Sequence, residues 1–176
     1  MNTKFLPFLF LLLFPFLLKS QYFIKDDPGK LWWVNLGVGV LYEGAWDKSE
    51  FSSLVSFTKP ITNNFLVTGR FTYAEEFQLF SPDNTPEIYR DLSLLAGLYA
   101  KGRFGFVSLG TGAGWNSGRI EEGITERKFS TIGLPVESQV FFTLPFIGIG
   151  LVGYGNINNV RSTWGFTVTL QFGNLR

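Results

Sequence analysis

Large apolar residues recur at every second position from Leu31 to Phe172, in one stretch after another of about ten residues, and nothing after Gln21 has helical spacing. A two-residue period puts successive side chains on opposite faces, so the body of the chain is predicted to be strand. In Leu31 to Tyr42, Trp32, Val34, Leu36, Val38 and Val40 alternate with Asn35, Gly37 and Gly39. Phe51, Val55 and Phe57 stand opposite Ser52 and Ser56, and Phe65, Val67, Phe71 and Tyr73 opposite Thr68, Arg70 and Thr72. Leu92, Leu94, Ala96 and Leu98 alternate with Asp91, Ser93, Gly97 and Tyr99. Four more stretches, Val107 to Trp115, Ile132 to Phe142, Ile147 to Leu151 and Trp164 to Phe172, repeat the pattern, giving eight predicted strands.

A soluble barrel or sandwich also alternates, so the composition of the polar face decides between environments. A face in water collects Lys, Glu and Asp. Here it is mostly Gly, Ser and Thr, with Arg70, Asp91 and Glu137 as the clear charges inside strands, and charged residues make up only 16% of the chain. Small residues suit the crowded interior of a narrow closed barrel whose bulky apolar side chains point outward into lipid. Lipid in turn demands closure, because an open sheet edge leaves backbone groups unpaired in hydrocarbon. The expected fold is therefore all-β, an eight-stranded antiparallel up-and-down transmembrane β-barrel.

The joins support this. Lys59 to Asn64, Lys101 to Arg103 and Thr143 to Pro145 are short, whereas Glu75 to Tyr89 and Asn116 to Lys128 are long and polar, as expected for periplasmic turns and extracellular loops. Both chain ends then lie on the periplasmic side, with Glu43 to Glu50 and Asn156 to Arg161 also outside. Aromatics gather near strand ends, with Trp32, Trp33, Phe57, Phe65, Phe104, Phe142 and Phe146 expected on one rim and Tyr42, Tyr73, Trp115, Tyr154 and Trp164 on the other.

Ahead of the barrel, Lys4 precedes an apolar run from Phe5 to Leu18 broken by Pro7 and Pro15, followed by Lys19 and Ser20. That is the layout of a secretory signal peptide, and the run is short for a membrane-spanning helix. The expected organisation is a signal at 1–20, a periplasmic segment at 21–30, the barrel at 31–172 and a tail at 173–176. A length of 176 residues leaves room for one domain behind the signal. The 15 basic residues, of which Lys4 and Lys19 belong to the leader, balance 14 acidic ones, so there is no electrostatic case for nucleic acid.

The final strand, Thr163-Trp164-Gly165-Phe166-Thr167-Val168-Thr169-Leu170-Gln171-Phe172, resembles the C-terminal signal read by the barrel assembly machinery, with Thr163, Gly165, Val168, Leu170 and Phe172 at its recognition positions. Ile132-Gly133-Leu134-Pro135-Val136-Glu137-Ser138-Gln139, followed by a Gly-alternating strand and Gly155-Asn156-Ile157-Asn158, is similar to small outer-membrane barrels of the Bacteroidota type. The body as a whole resembles the transmembrane domain of outer membrane protein A and its small relatives. The resemblance implies a Gram-negative outer membrane, contact with its lipid and lipopolysaccharide, and passage through the assembly machinery.

Cysteine and histidine are both absent, which removes thiol nucleophiles, disulfides, imidazole ligands and His-based acid-base catalysis together. No catalytic residue, metal or cofactor is expected. Arg70, Asp91 and Glu137 share the lumen face of three strands, where a charge is costly unless paired, so a lumen network of Arg70 with Asp91 or Glu137 is expected as a structural plug. Gly110, Gly112 and Gly114 spell a GxGxG string, but with no helix following, small lumen side chains explain it better than a nucleotide. The acidic pairs Glu75-Glu76 and Glu121-Glu122 read as solvated loop charge, and loop aromatics such as Trp46, Phe77 and Phe80 as folding onto the rim. The function expected is a non-enzymatic envelope protein with a structural or loop-mediated binding or adhesion role, its extracellular partner unspecified. The alternative is a narrow pore or carrier for small solutes.

Overall fold

The computed structural model describes residues 27–44, 48–76, 87–122 and 125–175. The signal at 1–20, most of the segment after it and the loop aromatics Trp46, Phe77 and Phe80 lie outside these residues. Among the described residues, eight strands follow a 3-10 turn at Pro28–Lys30: β1 (Trp32–Glu43), β2 (Lys48–Pro60), β3 (Phe65–Glu76), β4 (Ile88–Gly102), β5 (Gly105–Glu122), β6 (Thr125–Thr143), β7 (Ile147–Ile157) and β8 (Thr163–Asn174). Each pairs with its sequence neighbour, and β1 pairs antiparallel with β8 from Trp32 opposite Asn174 to Glu43 opposite Thr163. The sheet is thereby a closed barrel, with no edge strand around its body.

Alternation sets what each face carries. In β4, Asp91, Ser93, Leu95 and Tyr99 are buried inside while Leu92, Leu94 and Leu98 stand outside at 56–66% exposure. Exposed large apolar side chains occur on all eight strands, from Leu36 and Val38 on β1 to Val168 and Leu170 on β8. A soluble monomer does not carry an apolar band around its whole circumference. A bilayer supplies what such a band requires.

Three joins are tight and share the end where the chain enters and leaves the barrel. Between β2 and β3, Thr62 Oγ1 accepts from the backbone N–H of Asn64 (3.3 Å) and Phe65 (3.1 Å), a hydroxyl-closed turn. β4 and β5 are joined at Arg103-Phe104, with Gly102 paired to Gly105. Leu144 N–H donates to Ile147 O at 2.8 Å to close the third turn. The opposite end is the loop end.

The Asn116 to Lys128 segment, expected as a long loop, is mostly strand. β5 and β6 keep one register from Gly105 opposite Phe142 to Glu122 opposite Thr125, interrupted only between Thr111 and Gly114. β4 reaches only Arg119 of β5, and β7 reaches only Leu134 of β6, so the tip of this hairpin projects past both neighbours. Beyond the apolar band no side of a strand requires large apolar residues, so Ser117, Arg119, Arg127, Lys128 and Ser130 carry no hydrophobic period from which a strand can be read.

Candidate functional site: the filled lumen

The lumen is occupied at three levels, built mostly from strand positions of inward parity. At the middle, Arg70 of β3 lies fully buried, with Nη2 2.7 Å from Asp91 Oδ2 on β4 and Nη1 3.2 Å from Glu137 Oε2 on β6. Both carboxylates have a second donor: Ser93 Oγ donates to Asp91 Oδ1 at 2.5 Å and Gln139 Nε2 to Glu137 Oε1 at 2.5 Å. The guanidinium also sits over the Tyr154 ring of β7, 5.4 Å from its centroid, and Tyr154 Oη donates to Ser52 Oγ of β2 at 2.7 Å. Five strands are thus tied across the interior at one height. Burying a charge this deeply is tolerable only with such pairing.

Toward the loop end, buried Arg161 carries a second cluster. Its Nη2 contacts Glu50 of β2, lies 3.2 Å from Glu87 Oε2 and 3.0 Å from Glu43 Oε2 of β1, and its guanidinium centre is 6.0 Å from the Tyr89 ring centroid. Asn158 positions it by folding the β7–β8 connection: its Oδ1 accepts from Val160 N–H (2.9 Å) and Arg161 N–H (2.7 Å), and its Nδ2 donates to Arg161 O (2.8 Å). Tyr89 Oη donates to Asn116 and accepts from Thr163 Oγ1 at 3.1 Å, extending the network to β5 and β8.

Below Arg70 the interior turns to hydroxyls and amides, then to aromatics. Gln171 Nε2 donates to Asn35 Oδ1 (3.2 Å), Asn35 Nδ2 to Ser56 Oγ (3.0 Å), and the Thr58 and Thr68 hydroxyls share a 2.9 Å hydrogen bond. At the turn end Trp33 packs on Phe106 (centroids 4.9 Å apart) and Phe106 stacks on Phe141 (5.3 Å). Leu175 is buried in the same cluster: it continues the inward parity of Gln171 and Gly173, with Gly173 at φ +151° still paired to Trp33, and its N–H donates to Pro145 O at 3.1 Å.

Arg70, Asp91 and Glu137 are therefore brought together, on the inward face where their parity put them. In the last strand Thr163 and Gly165 face inward, and Val168, Leu170 and Phe172 face outward. The GxGxG string lies within β5: a Cβ at Gly114 would stand 2.5 Å from Ser93 Oγ and 2.8 Å from Asn156 Nδ2, so its role is room for opposing side chains. Glu75 accepts from Tyr73 Oη at 2.8 Å. Two aromatics expected on the rims, Trp33 and Tyr154, point into the lumen instead, because their parity within the strand outweighs their nearness to its end. Tyr42 and Trp164 do stack outside, with centroids 4.6 Å apart. The Arg161 cluster falls in segments whose sequence reads as loop, although Glu50 continues the inward series of Ser52, and Glu87 that of Tyr89 and Asp91. Among the described residues no group of three His, Cys, Asp or Glu is placed to hold a metal ion.

No protein-family model and no curated protein matches the chain. Solved structures do. Ail, the attachment invasion locus protein of Yersinia pestis, superposes with a TM-score of 0.58 at 13% identity, over 80% of this chain and 95% of that one. Neisserial surface protein A gives 0.59 at 13% identity, over 80% and 94%. The N-terminal β-barrel domain of Pseudomonas aeruginosa OprF gives 0.53 at 8% identity, over 80% and 96%. At these identities the likeness is one of fold: a small eight-stranded barrel.

Proposed function

We propose that this chain is an exported, non-enzymatic outer-membrane barrel that does not conduct, and that it acts through what it presents at the loop end. The observation that carries this reading is the occupied lumen: Arg161, Arg70 and the Trp33–Phe106–Phe141 stack close it at three heights. Eight strands leave an interior only about wide enough for side chains, and here the side chains are hydrogen-bonded to one another across it. The loop end offers what the lumen does not, the projecting β5–β6 hairpin with exposed Arg127 and Lys128. Attachment is part of the name of the Yersinia pestis barrel, and the same class of role, loop-mediated binding in the envelope, fits this geometry. The leader at 1–20 supplies export, and β8, carrying Thr163, Gly165, Val168, Leu170 and Phe172, supplies the strand offered to the assembly machinery as it closes on β1.

The chain's lack of cysteine allows a direct test of location and orientation. Lys128→Cys, on the hairpin, should react with a membrane-impermeant maleimide on intact cells. Arg103→Cys, in the β4–β5 turn, should react only after the outer membrane is breached. Recovery of the protein in the periplasmic supernatant, or labelling of Arg103→Cys from outside, overturns the proposal.

A further inference from the structure

At the loop end, register sets glutamates side by side on the inner face. Glu50 of β2 lies opposite Glu76 of β3, and Glu76 N–H donates to the backbone O of Glu87 at 3.1 Å. Glu50 extends the buried series of Leu54 and Ser52, Glu76 that of Thr72 and Ala74, and Glu87 that of Asp91 and Tyr89, so all three have inward parity. Adjacent strands lie about 4.8 Å apart, so the row spans roughly 10 Å. Like charges directly opposite one another on a sheet repel. Glu43 of β1, its side chain 32% exposed, adds a carboxylate where the row opens outward.

The compensation for this row is uneven. Arg161 meets Glu43, Glu50 and Glu87 through one nitrogen, Nη2. Half-buried Glu76, in register between Glu50 and Glu87, has no ion pair among the described residues. Independently of the charge count, Glu50 Oε2 has no hydrogen-bond partner although the residue is only 3% exposed. Of the nearby bases, Lys48 stands opposite Glu43 in register, and Arg127 of the projecting hairpin already has a partner. A buried carboxylate oxygen without a donor is costly, and a cationic N–H donor removes the cost.

Among the described residues no three acidic groups are placed to hold a metal ion, so a single point cation does not fit this row. Positive groups strung along a flexible chain do. We infer that Glu43, Glu50 and Glu76 form an ammonium-binding site at the loop-end mouth for a linear polycation, either a polyamine or a lysine-rich peptide segment. One ammonium group donates to Glu50 Oε2 and Glu76, and the next meets Glu43 nearer the outside.

The inference rests on the loop-end reading of function, and the test keeps the two apart. Mature barrel is refolded in uncharged maltoside micelles at about 0.15 M salt, where exposed charges more than about 8 Å apart are screened. Spermine, tetralysine and side-chain-acetylated tetralysine are then titrated in by calorimetry. Wild type should bind at least one cationic probe and ignore the acetylated peptide; spermine alone points to a polyamine, tetralysine alone to a peptide. Glu76→Gln should weaken binding about fivefold. Glu50→Gln should weaken it on the order of tenfold or more. Should Glu50→Gln fail to fold, Glu76→Gln carries the test, since its side chain takes no part in the Arg161 contacts. Glu75→Gln removes the same charge from the outward face of β3 and should match wild type. No heat with either cationic probe overturns the inference. So does a Glu76→Gln barrel that binds like wild type, or a Glu75→Gln barrel weakened as much as Glu76→Gln, which would reduce the effect to bulk charge. A barrel that binds as expected but whose Lys128→Cys is not labelled on intact cells overturns the orientation and leaves the site standing.

Discussion

Arg70 Nη2 lies 2.7 Å from Asp91 Oδ2 with neither side chain exposed to solvent beyond 2%, and the same guanidinium bonds Glu137 from the far side of the lumen. Removing the cation leaves two carboxylates buried without it. Arg70→Met should therefore destabilise the barrel by about 3–5 kcal/mol, read as a shift of the urea unfolding midpoint in detergent micelles. Adding Asp91→Leu and Glu137→Leu should recover most of that loss, since an apolar replacement of all three removes the uncompensated charge. An Arg70→Met barrel as stable as wild type contradicts the role assigned to the network.

Trp33 anchors the aromatic stack at the turn end, 4.9 Å from Phe106. Trp33→Ala should cost about 3–5 kcal/mol from the lost packing and the cavity left behind. It should nonetheless leave the barrel non-conducting, because the Arg70 level lies between this cavity and the loop end. Unfolding midpoints and bilayer recordings on the same preparation check both halves.

Gly173 combines φ +151° with a position where an added Cβ would lie 2.7 Å from the Trp33 Cα. Gly173→Ala should release the tail, at a cost of about 1 kcal/mol or more. Amide hydrogen exchange reads this directly: the Leu175 N–H, which donates to Pro145 O, should lose its protection while the β4 and β5 amides keep theirs. Unchanged Leu175 protection would falsify the view that this glycine holds the tail.

Leu94 points out of the wall at 63% exposure. On a soluble protein, replacing it with arginine is nearly neutral. In a bilayer, Leu94→Arg should cost about 2–4 kcal/mol near mid-depth. Refolding equilibria in phosphatidylcholine vesicles discriminate the two, and a cost near zero argues against lipid at this face.

The strands and their inward and outward faces were legible because lipid on one side and a crowded lumen on the other impose a period of two on every strand that crosses the membrane. Arg70, Asp91 and Glu137 could be singled out for the same reason, as charges of inward parity within strongly alternating stretches. Glu50, Glu87 and Arg161 share that parity or that burial but sit where the outer face no longer meets hydrocarbon. Their neighbours lose the apolar alternation that marks a strand, and they read as loop charge. The β5–β6 hairpin was missed on the same grounds. Trp33 and Tyr154 show the converse: an aromatic near a strand end is a rim residue only if its parity faces outward, and both have inward parity.

The claim that the lumen is closed is tested most directly by single-channel recording of the refolded wild-type protein in planar bilayers. With Arg161, Arg70 and the Trp33 stack each spanning the interior, the expected record is a flat baseline across the voltage range. Steady, ion-selective openings of uniform size would contradict the account and make the barrel a narrow pore.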